Sequence, residues 1–133
     1  MQFNKLNESY TVSDQITIDD IETIKAKGFK TIICHRPDEE EPNQPTVDSI
    51  QKIAKESGLE FIHQPVIGNQ LNMNDVANFQ VNFEEAEKPV FAYCRSGMRS
   101  CTLWALSNVG QIESAEILDV TKKAGYNLSY IIK

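Results

Sequence analysis

The chain has 133 residues, a formal net charge of −6, 41% hydrophobic residues and 24% charged residues. That length suits a single domain, residues 1–133, able to bury a core without metals or disulfides, and the acidic balance argues against nucleic acid as a partner. No run approaches the roughly 18 apolar residues of a membrane span, no leader pattern opens the chain, and three cysteines without zinc-ligand spacing fit a reducing compartment, by default the cytoplasm.

Leu6 to Val12 reads as a short extended segment, with Tyr10 and Val12 in phase. Thr17 opens a helix with Asp20 three residues on, and Gly28, following Lys25 and Lys27, stops it. Phe29 to Cys34 is apolar and rich in β-branched residues, as in a buried parallel strand. His35 to Pro45 is a loop that holds Pro37, Pro42 and the acidic run Asp38 to Glu41. Thr46 caps a helix with Val47, Ile50, Ile53 and Ala54 on one face, closed by Gly58. Phe61 to Val66 is the next strand, and Ile67 to Met73 a polar turn region. Asn74 caps a third helix whose apolar face is Val76, Phe79, Phe83 and Ala86. Val90 to Tyr93 is a strand that runs into Cys94, and a helix opens at Ser100 carrying Leu103, Trp104, Leu106 and Val109. Ile117, Leu118 and Val120 lie on the last helix. This alternation implies an α/β fold, a mostly parallel central sheet flanked by helices on both faces. In such sheets ligands bind beyond the carboxyl ends of the strands. Cys94, Cys34 with His35, and the turn at 67–73 all fall there.

Cys94 carries the chemistry. A thiol between a strand end and a helix N-terminus sits among unpaired backbone N–H groups and the positive end of a dipole. Such a site binds anions and favours the thiolate. Arg99, closing the loop at the helix start, is the candidate clamp for a tetrahedral oxyanion. Arg95 either joins it, points to solvent or holds a neighbouring carboxylate. Gly97 permits a positive φ and close backbone approach. Ser96 and Met98 complete the cradle, and the Ser100 hydroxyl either bonds the sulfur or caps the helix. Arg36 and His35 follow a buried strand and either line the pocket or pair with the acidic run, while Asp38 either orients Arg36 or Arg99 or is a solvated charge. His63 alternates with core residues on its strand. Cys34 is either a resolving thiol or an inert core residue, and Cys101 packs.

Cys94-Arg95-Ser96-Gly97-Met98-Arg99-Ser100 resembles the active-site loops of both rhodaneses and cysteine-dependent phosphatases. Over roughly residues 8 to 128 the chain is similar to dual-specificity phosphatase-like folds, and more closely to the bacterial phosphatase-like domain of beta-lactamase-hydrolase-like proteins. The resemblance rests on Arg36-Pro37-Asp38 with Glu41-Pro42, on Ala92-Tyr93-Cys94-Arg95-Ser96-Gly97 with Arg99-Ser100, on Leu103-Trp104-Ala105 and on Ala124-Gly125-Tyr126. It implies a cysteine-phosphatase-like fold with Cys94 as nucleophile and Arg99 as clamp. Two departures stand out. Four residues, Arg95 to Met98, separate cysteine from arginine where the phosphatases have five, which gives a loop of rhodanese length. The turn that carries the phosphatase general acid reads Ile67-Gly68-Asn69-Gln70-Leu71-Asn72-Met73-Asn74-Asp75, so Asp75 is its only carboxylate, either the candidate acid or a charge at the helix N-terminus.

Three functions therefore stay open. One is hydrolysis of a phosphate monoester through a covalent Cys94 intermediate. Another is sulfurtransfer through a Cys94 persulfide, which needs no acid. The third is a non-catalytic anion-binding or redox module. Each takes a small anionic partner, a phosphate ester or a sulfane sulfur donor, and none implies a cofactor or a metal.

Overall fold

The computed structural model describes residues 1–133. Strands β1 (Asn4–Asn7), β2 (Tyr10–Ser13), β3 (Thr31–Cys34), β4 (Glu60–His63) and β5 (Val90–Tyr93) form one sheet in the spatial order β1-β2-β5-β3-β4. All neighbouring pairs are parallel except β1 with β2. The helices are α1 (Asp20–Ala26), α2 (Val47–Glu56), α3 (Met73–Glu85), α4 (Met98–Ser107) and α5 (Ser114–Lys123), and none is long and apolar enough to cross a membrane.

The sheet is covered on both faces, so its central strands are apolar on both sides. Ile32, Cys34, Phe91 and Tyr93 pack with Ile21 and Ile24 of α1 and Ile50 and Ala54 of α2. The alternate residues Ile33, Val90 and Ala92 join Tyr10 and Val12 against Val76 and Phe79 of α3, Leu103 and Trp104 of α4, and Ile117 of α5. Strand β5 is buried throughout at the centre, and its carboxyl end delivers Cys94 between β2 and β3.

Several boundaries differ from the sequence reading for local reasons. The segment around Leu6 to Val12 is a hairpin of two strands, turned by Asn7, whose side-chain oxygen accepts the Ser9 N–H at 2.8 Å. Helix α1 begins at Asp20, because the Asp20 carboxylate takes the Thr17 N–H at 2.9 Å and holds a turn ahead of the helix. The cap of α3 is Asn72, not Asn74: its side chain accepts from the N–H groups of Asn74 and Asp75. Helix α4 begins at Met98, two residues before Ser100, with Gly97 as its cap at φ 94°.

Candidate active site

The loop after β5 is held by its neighbours on either side. Cys94 N–H donates to Ser13 O at 3.3 Å, and His35 N–H donates to Tyr93 O at 2.9 Å. Gln15 N–H donates to Arg95 O at 3.3 Å. Within the loop, Gly97 N–H donates to Cys94 Sγ at 3.1 Å, and Met98 N–H donates to Ser96 Oγ at 3.2 Å. The backbone N–H groups of Arg95, Ser96, Arg99 and Ser100 take no acceptor from the protein. Four backbone N–H groups without protein acceptors, gathered around a cysteine at a helix start, are an arrangement able to receive an anion. Cys94 itself is fully buried, as is Ser100, whose hydroxyl has no hydrogen-bond partner.

Arg99 extends from the first turn of α4 toward the loop after β3. Its Nη1 and Nη2 donate to Glu40 Oε2 and Oε1, both at 2.9 Å, and Nη1 also donates to Val66 O at 2.8 Å. A guanidinium carries five N–H donors in a fixed fork. Glu40 and Val66 occupy three of them, on the Nη1 side. The two left over, Nε–H and the second Nη2–H, form one parallel pair suited to a tetrahedral oxyanion. The hydrogen bonds from Arg99 hold the Glu40 carboxyl below the ordinary glutamate range, so it remains an acceptor.

Arg36 is not presented to a substrate. It is 3% exposed, and its nitrogens are occupied by Glu40 (2.8 Å), Gln15 (3.0 Å) and Glu41 (2.6 Å). It is the buried post to which the acidic loop is tied. Arg95 lies outward, 65% exposed, with Nε 3.1 Å from Glu41. Asp38 orients neither arginine: its carboxylate accepts the Val47 N–H at 2.8 Å at the start of α2. The orienting carboxylate is Glu40, which the sequence shows only as one member of an acidic run. Asp75 is the N3 residue of the α3 capping box, its carboxylate accepting the Asn72 N–H at 3.0 Å.

The remaining candidates divide cleanly. His35 is buried against Phe79, and its Nδ1–H donates to Gln64 O at 3.1 Å. Burial pulls its pKa down to about 4, which leaves it neutral at pH 7. His63 Nε2–H donates to Arg36 O at 3.1 Å and so braces the same loop. Burial pushes the Cys34 thiol up to about 11, and its S–H donates to Arg36 O at 3.3 Å. A thiol so placed is protonated and slow as a resolving group. Cys101 is packed in the core, and burial pushes it up to about 12.

A cysteine loop between the central strand of a parallel sheet and a helix, with an arginine on the helix's first turn, defines a cysteine-phosphatase-like α/β domain. Comparison with known proteins gives the family. The family model for the phosphatase-like domain of beta-lactamase hydrolase-like proteins matches residues 2–111, and the chain belongs to that family. A beta-lactamase hydrolase-like protein from Agrobacterium fabrum is 38% identical over 130 residues, covering 96% of the chain and 30% of that protein. The chain thus spans about a third of the length of such relatives. The crystal structure of a candidate phosphatase from Neisseria meningitidis is similar with a TM-score of 0.86 and 39% identity, covering 95% of this chain and 90% of that one. TpbA from P. aeruginosa, solved in complex with pTyr, shares the fold with a TM-score of 0.67 at 13% identity, over 90% of this chain and 72% of that one.

Proposed function

We propose that this phosphatase-like domain hydrolyses small phosphate monoesters through a phosphocysteine at Cys94. The Cys94 thiolate attacks phosphorus, a P–S bond forms, and the bond from phosphorus to the ester oxygen breaks. The leaving oxygen takes its proton from solvent. Water then attacks phosphorus, the P–S bond breaks, and inorganic phosphate departs with the thiolate restored. The observation that carries this reading is the set of donors without acceptors at the cysteine loop: four backbone N–H groups and one Arg99 fork. They match an anion whose charge is spread over several oxygens, and they would hold the equatorial oxygens in the transition state. Family membership supports the same class of chemistry, and TpbA, which shares the fold, holds pTyr in a cysteine-to-serine form.

Glu40 sets the direction of the Arg99 fork. A hollow of about 330 Å³ beside Arg99, whose lining includes Gly68, Leu71, Met98 and Tyr130, offers room for the organic part of the ester. With the Asp75 carboxylate engaged at the start of α3, esters with good leaving groups are the expected substrates.

The test compares steady-state release of phosphate from an aryl phosphate with formation of a persulfide from thiosulfate, in the wild type and in Cys94→Ser. Phosphate release that vanishes in Cys94→Ser is expected. A stable persulfide with negligible phosphate release would replace this reading by sulfurtransfer.

A further inference from the structure

The segment Ala124-Gly125-Tyr126 lies beyond the residues that the family model spans, and no step of the proposed reaction uses it. Its placement follows from how α5 ends. Gly125 adopts φ 103°, its N–H returns to Lys122 O at 2.9 Å, and the Tyr126 N–H returns to Thr121 O at 2.9 Å, a left-handed helix stop that requires glycine. The reversal carries the Tyr126 side chain, 7% exposed, against the back of the cysteine loop.

Two hydrogen bonds fix the phenol there. Asn4 Nδ2 donates to Tyr126 Oη at 2.9 Å, and Tyr126 Oη lies 3.1 Å from Ser96 O. An amide nitrogen only donates and a carbonyl only accepts, so the phenolic proton lies on the bond to Ser96. Burial pushes the phenol up to about 12, which keeps that proton in place. The same hydroxyl fills the space where a side chain at Gly97 would go: a Cβ there would overlap Oη and lie 3.0 Å from Cζ.

Ser96 O and Gly97 N–H belong to one planar peptide group and point in opposite directions. One end of that group accepts from Tyr126, and the other donates to Cys94 Sγ. We infer that Tyr126 is a positioning residue for the nucleophile: it pins the Ser96–Gly97 peptide so that the Gly97 N–H faces the Cys94 sulfur. Rotation of this peptide away from the sulfur would break both hydrogen bonds together, so the phenol acts on the thiolate without touching it. A donor held on sulfur favours its charged form. The inference rests on the reading of Cys94 as a thiolate nucleophile, but it does not depend on which anion is transferred.

The experiment measures the pH midpoint of Cys94 alkylation by iodoacetamide, followed on the Cys94-containing peptide by mass spectrometry, alongside thermal unfolding. Tyr126→Phe keeps the ring and removes the donor. It is expected to raise the midpoint by about half a unit to one unit and to lower kcat/KM for an aryl phosphate about three- to tenfold, with the unfolding temperature nearly kept. Replacing Tyr126 with 3-fluorotyrosine, a stronger donor of nearly the same shape, is expected to move the midpoint the other way, and it decides the matter if Tyr126→Phe does not fold. An unmoved midpoint in the folded variants overturns the inference, even where stability falls. If the wild type releases no phosphate from any aryl ester, the hydrolase reading fails while the alkylation midpoints still decide the role of Tyr126.

Discussion

Replacing Glu40 by glutamine tests whether Arg99 works as an oriented fork or as a loose charge. Glu40 makes three charge-assisted hydrogen bonds: to Arg99 Nη1 and Nη2 at 2.9 Å each, and to Arg36 Nε at 2.8 Å. Glutamine offers one oxygen and one amide nitrogen. With its oxygen in the Oε1 position, the bonds to Arg36 and Arg99 Nη2 persist with a neutral acceptor, at roughly half their strength. The amide nitrogen then faces Arg99 Nη1, donor against donor, and that bond is lost. A hydrogen bond to a charged group contributes about 1.5–3 kcal/mol. Because the Glu40 side chain is 26% exposed, solvent screening places the stability cost at the lower end, about 1–2 kcal/mol. The catalytic effect is separate. If the free Nε/Nη2 pair turns away from the loop, kcat/KM for an aryl phosphate falls about 10- to 100-fold, equivalent to about 1.4–2.8 kcal/mol of transition-state stabilisation. The assay pairs steady-state kinetics with a urea titration, so that loss of fold and loss of orientation are read apart. A folded Glu40→Gln protein with kcat/KM within about twofold of wild type would refute the argument, because Arg99 would then need no orienting partner.

Three further outcomes follow from the same geometry. Gly97→Ala forces an alanine to φ 94° and against the Tyr126 hydroxyl, so a stability loss of about 2 kcal/mol or more is expected together with loss of turnover; thermal unfolding and kinetics equal to wild type would deny that contact. His35 has its pKa drawn down by burial to about 4, against about 6.5 in the unfolded chain. The unfolded state therefore binds more protons between those values: the contribution is fully present above pH 6.5 and is lost as pH falls through 4, by up to about 3 kcal/mol. Urea midpoints at pH 7 and pH 4.5 should show a steeper acid loss in the wild type than in His35→Gln, and equal slopes would contradict the assignment. Asp75→Asn should cost about 1 kcal/mol through the weakened capping box and leave aryl phosphate turnover unchanged. A drop of about a hundredfold confined to alkyl phosphates would instead give Asp75 the role of general acid.

What the sequence made legible was local, and what it concealed was assembled from distant parts. The buried strand Val90–Tyr93 and the loop at Cys94 are consecutive, so periodicity and glycine placement located them with correct strand bounds. Helix α4 starts two residues before Ser100, to which the sequence points, because its cap is a left-handed Gly97 and not a serine hydroxyl. The hairpin at the N-terminus was hidden because Asn7-Glu8-Ser9 lacks the Asn-Gly or Asp-Gly pair that marks tight turns, although the Asn7 side chain performs the turn. Arg99 and Glu40 lie 59 positions apart, and only the parallel pairing of β3 with β5 brings their loops together. Nothing in the run Asp38-Glu39-Glu40-Glu41 distinguishes the residue that meets Arg99 from the one that accepts the Val47 N–H at the start of α2. Tyr126 lies 30 positions from Ser96, on the far side of α4 and α5, and it reaches that residue only because Gly125 reverses the chain at the end of α5.

In the proposed reaction Cys94 carries a phosphoryl group during turnover. Acid-quenching the protein during reaction with an aryl phosphate and measuring intact mass tests this directly. A gain of one phosphoryl group is expected, mapped to the Cys94 peptide and absent from Cys94→Ser. Turnover that persists in Cys94→Ser, or a quenched protein that gains a single sulfur from thiosulfate and never a phosphoryl group, would contradict it.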